Sequence, residues 1–114
     1  MTVKIYHNPR CSKSRQTLAL LQDNGISPEV IEYLNTPPSP SELDQILTML
    51  GKQPSELMRT GEEEFNTYFK AKDLSRDESI ALMVAHPKVI ERPIVVHGNK
   101  AAIGRPPENV LAIL

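Results

Sequence analysis

The chain has 114 residues, 39% of them hydrophobic and 24% charged, with a formal net charge of −1. That length suits a single domain over 1–114 around one core. The near-neutral balance excludes bulk attraction to nucleic acid or to an anionic membrane, so any anion site must come from local clustering of charge. No stretch approaches the roughly 20 apolar residues of a membrane span, and no apolar leader core follows Met1. One unpaired cysteine fits a reducing compartment, which predicts a cytoplasmic protein. His7, His86 and His97 are scattered and one cysteine cannot make a Cys-rich site, so no metal site is expected; no bound cofactor is expected either.

Val3-Lys4-Ile5-Tyr6 alternates and predicts a short strand. After a turn at Pro9, Ser12 to Asn24 reads as a helix with Leu18 and Leu21 on its apolar stripe. Gly25 stands where a left-handed cap is expected. Glu29 to Leu34 is strand-like, and a right-handed βαβ unit would make the two strands parallel. Ser39, Pro40 and Glu42 supply a cap, a first-turn proline and a capping box for the next helix. Leu43, Ile46, Leu47 and Leu50 form its apolar face, and Gly51 closes it. A shorter helix over Pro54 to Met58 and another over Glu62 to Phe69 follow. Ser75 and Glu78 form a second capping box, opening a helix that stops at His86-Pro87. Ile94-Val95-Val96 and Lys100 to Ile103 flank His97-Gly98-Asn99, a hairpin signal that makes this pair antiparallel. Gly104-Arg105-Pro106 then turns the chain into a final helix over Glu108 to Ile113. The order is β-α-β, several helices, β-β-α. It fits an α/β, thioredoxin-like arrangement with a four-stranded mixed sheet flanked by helices. The helical insertion falls between the second strand and the C-terminal hairpin.

The chemistry centres on Cys11, at the strand-to-helix turn His7-Asn8-Pro9-Arg10-Cys11-Ser12-Lys13-Ser14-Arg15. A free cysteine is more often a small buried hydrophobe than a nucleophile. Here it faces the unpaired N–H groups of a helix start, with Arg10, Lys13 and Arg15 nearby, and both features favour thiolate. An ordinary thiol with a pKa of about 8.5 is only about 3% ionised at neutral pH; a two-unit drop, about 2.7 kcal/mol, makes it mostly thiolate. Cys11-Ser12-Lys13-Ser14 is C-x-x-S rather than C-x-x-C, so any disulfide step must use a thiol from another molecule. Arg59, Arg92 and Arg105 stand at the ends of predicted elements. They read either as solvated cations or as a seat for a tetrahedral oxyanion, which guanidinium forks suit. His7 could tune the thiol or simply end the first strand.

These residues carry a resemblance. His7-Asn8-Pro9-x-Cys11-x-x-Ser14-Arg15, Tyr33-Leu34-x-Thr36-Pro37-Pro38, Arg92-Pro93-Ile94-Val95-Val96 and Arg105-Pro106 are similar, in order and spacing, to the glutathione- and glutaredoxin-coupled arsenate reductases. The resemblance implies a thioredoxin-like fold with Cys11 as nucleophile and Arg59, Arg92 and Arg105 as the oxyanion-binding trio. It makes His7, Ser14 and Arg15 supporting groups and implies a cis bond before Pro93. It also implies arsenate as substrate, glutathione as co-substrate and glutaredoxin as partner; nothing in the sequence suggests an oligomer, so a monomer is expected. Two alternatives belong to other classes. One is a monothiol glutaredoxin-like thiol transferase, and the other is a redox-insensitive relative of transcription regulators of this fold.

Overall fold

Residues 2–114 are described by a computed structural model, and Met1, where the expected domain begins, lies outside the described residues. The chain forms two compact units. The first comprises the segment up to Thr36 together with Arg92–Leu114; the second is Pro37–Glu91.

In the first unit, strand β1 (Val3–His7) leads into helix α1 (Ser12–Asp23), and strand β2 (Glu29–Glu32) follows. Strands β3 (Ile94–His97) and β4 (Lys100–Ile103) complete a four-stranded sheet in the order β2-β1-β3-β4. β1 and β2 run parallel, with Ile5 opposite Val30, as the βαβ reading predicts. β1 and β3 are antiparallel, Tyr6 facing Ile94, and the β3–β4 hairpin is antiparallel with Ile94 facing Ile103. His97 belongs to β3 rather than to the turn, which is made by Gly98 at φ 63° and Asn99. A positive φ costs glycine nothing and so closes the hairpin.

Val3, Ile5, Leu21, Val95 and Val110 form the buried core of this unit, with Leu18, Ile26, Ala102 and Ile113 packed around it. Each fully buried aliphatic side chain of this kind contributes about 1.5–3 kcal/mol. Alternation along β1 and the helical stripe of α1 both point into this core, so pattern and packing agree.

Two predicted elements end differently. β2 stops at Glu32, two residues before Leu34, because the Glu32 carbonyl accepts the N–H groups of both Asn35 (2.9 Å) and Thr36 (3.0 Å). That turn takes the chain out of the ladder. The last helix is a 3₁₀ segment over Pro107–Ile113. Pro106 and Pro107 bring no N–H groups, and Asn109 N–H closes a short turn onto the Pro106 carbonyl at 3.0 Å.

The second unit is helical: α2 (Pro40–Leu50), a 3₁₀ turn Pro54–Leu57, α3 (Glu63–Tyr68), α4 (Arg76–Ala85) and a 3₁₀ turn Pro87–Val89. Leu43, Ile46, Leu47, Leu57, Ile80, Met83 and Val89 are buried in it. Both predicted capping boxes are formed, at Ser39–Glu42 and Ser75–Glu78. Gly51 takes the left-handed cap at φ 66°. Among the described residues no helix is long and apolar enough to cross a membrane.

Candidate active site

The site begins where β1 runs out. His7 and Asn8 are buried, and the Cys11 N–H returns to the Asn8 carbonyl at 3.0 Å while the Arg10 N–H meets Asn8 Oδ1 at 3.0 Å. This tight turn hands Cys11 to the N-cap position of α1, in extended conformation, with the Arg15 N–H on its carbonyl at 3.0 Å. No acidic residue occupies the first turn of α1. The positive end of the helix is therefore not neutralised by its own side chains.

Ser14, fully buried, ties the loop together. Its hydroxyl oxygen accepts the Asn8 N–H at 3.0 Å and lies 2.6 Å from His7 Nδ1. Burial pushes the His7 pKa down, the Glu32 charge opposes this and the Arg15 charge adds to it, with a downward net effect. A neutral ring at pH 7 leaves Nδ1 able to accept the Ser14 proton. His7 thus ends β1 and holds the loop through Ser14.

The sulfur is only slightly exposed, Cys11 as a residue at 8%. Burial alone would raise the thiol pKa. A hydrogen bond from Arg92, the Ser14 backbone N–H, and the charges of Arg92 and Arg105 outweigh it and bring the pKa below the ordinary thiol value. Arg105 Nη2 donates to Sγ at 3.4 Å, and its Nε is anchored on the Arg92 carbonyl at 2.7 Å. The structure thus brings Arg92 and Arg105 to the thiol from beyond β3 and β4.

The cations beside Cys11 in sequence behave otherwise. Arg10, Lys13 and Arg15 are exposed, and Arg15 Nη1 donates to the Pro9 carbonyl at 2.9 Å. None of the three is among the groups that lower the thiol pKa. This corrects the expectation that they supply its charge: their side chains are exposed, whereas the two distant arginines reach the sulfur. Arg59 lies in the second unit, half-buried, with Nη1 on Glu91 at 3.0 Å and Nε on Glu62 at 3.4 Å. The bond before Pro93 is cis, as the resemblance implies, and so is the Arg105–Pro106 bond, which sequence reasoning missed. Among the described residues, no group of three or more His, Cys, Asp or Glu is placed to hold a metal ion.

A buried thiolate flanked by two guanidiniums and a helix start can attack an electrophile that carries negative charge. Known proteins resemble the chain along its whole length. The chain is 53% identical to an uncharacterised Escherichia coli K12 protein, YfgD, over 98% of this chain and 96% of that one. It is 48% identical to an arsenate reductase of Haemophilus influenzae, the match covering 100% of both chains. The solved structure of an arsenate reductase from Vibrio cholerae superposes with a TM-score of 0.94 at 52% identity, covering 100% of this chain and 98% of that one. Residues 6–113 match the ArsC family, and with full-length relatives on the same thioredoxin-like fold, the chain belongs to that family.

Proposed function

We propose that this protein reduces arsenate to arsenite through a covalent adduct on Cys11, with glutathione and glutaredoxin completing the cycle. The observation that carries the reading is the Cys11 sulfur under Arg105 Nη2 at 3.4 Å, with Arg92 as a second donor and the thiol pKa lowered. In the first step the Cys11 thiolate forms an S–As bond to arsenate, and one arsenate oxygen, protonated, leaves as water. Glutathione then adds to the arsenic, and a further thiol, delivered through glutaredoxin, resolves the mixed species. Over the cycle two thiols become one disulfide, and their two electrons take arsenic from +5 to +3. External thiols supply the electrons that a chain with one cysteine cannot hold as an internal disulfide.

Electrostatics decides whether the first step is feasible. Thiolate and arsenate repel by roughly 4 kcal/mol for one charge pair at 4 Å and an effective dielectric near 20. Preorganised donors must offset that repulsion before the S–As bond forms. Arg92 and Arg105 contribute from the first unit, and the reading assigns Arg59 to the same task as the third member of the trio. His7, Ser14 and Arg15 hold the loop. A lone thiol stays reduced in the cytoplasm, where the reading places the protein as a monomer.

The test is arsenate-dependent NADPH oxidation in the presence of glutathione, glutathione reductase and glutaredoxin, comparing the native chain with Cys11→Ser. Turnover that needs both arsenate and Cys11 supports the reductase. Turnover only with a glutathione mixed disulfide would replace this reading with thiol transfer, for which the C-x-x-S sequence also suffices.

A further inference from the structure

Thr17 and Gly104 make a contact that no catalytic role explains. Thr17 lies on α1, one and a half turns beyond Cys11, and it is a fully buried polar residue. Its Oγ1 donates to the Lys13 carbonyl at 2.8 Å and stands 3.5 Å from the Gly104 carbonyl. Gly104 is also buried, and its N–H donates to the Pro93 carbonyl at 3.0 Å. A Cβ on Gly104 would stand 2.8 Å from Pro93 Cγ and 3.0 Å from Thr17 Cγ2, and closer still to Thr17 Oγ1. Only a residue without a side chain fits there. Three segments therefore meet at this point, each adjoining one of the groups around the sulfur. Thr17 lies on the helix that Cys11 precedes as N-cap, Pro93 follows Arg92, and Gly104 precedes Arg105. Arg105 closes the triangle through its bond to the Arg92 carbonyl at 2.7 Å.

We propose that Thr17 and Gly104 are positioning residues, whose close contact sets the distance at which Arg105 is held over the Cys11 sulfur. Shifting the 103–106 turn far enough to relieve these contacts would lengthen the Arg105–sulfur bond, already 3.4 Å, toward the limit of a useful interaction. This deepens the proposed function and rests on it only in taking Cys11 as the working thiol.

The experiment measures iodoacetamide alkylation of Cys11 across pH for the native chain, Gly104→Ala, Arg105→Ala and the double variant, with circular dichroism as a check on folding. Gly104→Ala is expected to slow alkylation at pH 7 by roughly three- to tenfold, with the high-pH plateau unchanged, because the thiolate fraction falls and its nucleophilicity does not. In the Arg105→Ala background the same substitution should change the rate by less than about twofold, since the group it positions is gone. A folded Gly104→Ala with the native pH profile would overturn the proposal, and so would an undiminished effect in the Arg105→Ala background. If Gly104→Ala does not fold, Thr17→Ala loosens the same contact without adding bulk. It should slow alkylation in the same way, and a native profile there would be equally fatal. Alkylation needs no arsenate, so failure of this contact and failure of arsenate reduction are separate results.

Discussion

Helices α1, α2 and α4 begin in two different ways. At α2 the Ser39 hydroxyl accepts the Glu42 N–H at 3.1 Å, and Glu42 Oε1 accepts the Ser39 N–H at 3.2 Å. At α4 Ser75 and Glu78 repeat the arrangement at 3.1 and 3.0 Å. Both starts satisfy their own donors and place a carboxylate on the positive end of the helix. At α1 the capping position holds Cys11, which makes no ordinary side-chain cap bond, and the first turn carries no acid. Its serine, Ser14, is turned away to His7 and Asn8. A helix start completed by its own side chains has little attraction left for an outside anion. The start of α1 forgoes about 1 kcal/mol of capping stability. In exchange, its donors face a sulfur that two distant arginines also address.

The strongest way to break this comparison is Cys11→Ser. It should reduce arsenate turnover to background in the coupled assay. Serine is a preferred N-cap residue, so denaturant unfolding in mild acid, where the thiol is uncharged in both the folded and the unfolded chain, should show stability held or raised by up to about 1 kcal/mol. A variant that lost stability would mean that the thiol is what holds the start of α1, and the contrast with α2 and α4 would collapse. Removing the arginines comes next. Arg92→Ala or Arg105→Ala should lower kcat/KM for arsenate by about 10²- to 10³-fold, the usual effect of losing one preorganised oxyanion donor. Either should also raise the thiol pKa, because each lowers it in the native protein. Use of a glutathione mixed disulfide should suffer far less. Equal losses on both substrates would show that the arginines serve the thiol alone.

The depressed thiol pKa has a consequence for stability, and its sign is set. A group whose folded pKa lies below its unfolded value stabilises the fold above the unfolded pKa, about 8.5 for a thiol. That stabilisation is lost as pH falls through the folded value. Unfolding of the native chain compared with Cys11→Ser should therefore shift in favour of the native chain as pH rises, levelling off above about 8.5. His7 is present in both proteins, so its own lowered pKa cancels from the difference. Parallel curves throughout would mean that the fold does not favour thiolate.

These features were not equally legible in the sequence. The capping boxes at Ser39 and Ser75, the left-handed Gly51 and the parallel β1–β2 pair depend on residues a few positions apart or on alternation, and they form as expected. Cys11 at a helix mouth is local in the same sense. The identity of its cations is not, since Arg92 and Arg105 reach the sulfur across more than eighty residues of chain. Proximity in sequence favoured Arg10, Lys13 and Arg15, whose side chains are exposed and do not act on the sulfur. Arg92 and Arg105, together with Arg59, stand out in the sequence only by their places at element ends and by the family pattern. The early end of β2 and the 3₁₀ character of 107–113 follow from competition for single carbonyls and from paired prolines. Average propensities do not register either effect. Thr17 did leave a signal, as a polar residue on the core side of a helix.

The smallest effect sharpens the comparison from the other side. Ser75→Ala removes the hydroxyl that caps α4 but leaves the backbone N–H of residue 75 to Glu78. In the native chain that N–H, and the Ser75 side chain second, hold the Glu78 carboxyl below its usual pKa. The variant should raise the Glu78 pKa part of the way back, which carbon-detected NMR titration can follow. It should cost about 1 kcal/mol of stability near pH 7. The carboxylate's share of the box is present above its unfolded pKa, about 4.3, and is lost in both proteins as pH falls through the folded value. The difference between them should therefore narrow in acid. Alkylation of Cys11 should not change at all, because the start of α4 meets its own needs and none of its groups acts on the sulfur. If Ser75→Ala altered the thiol, the two kinds of helix start would not be independent.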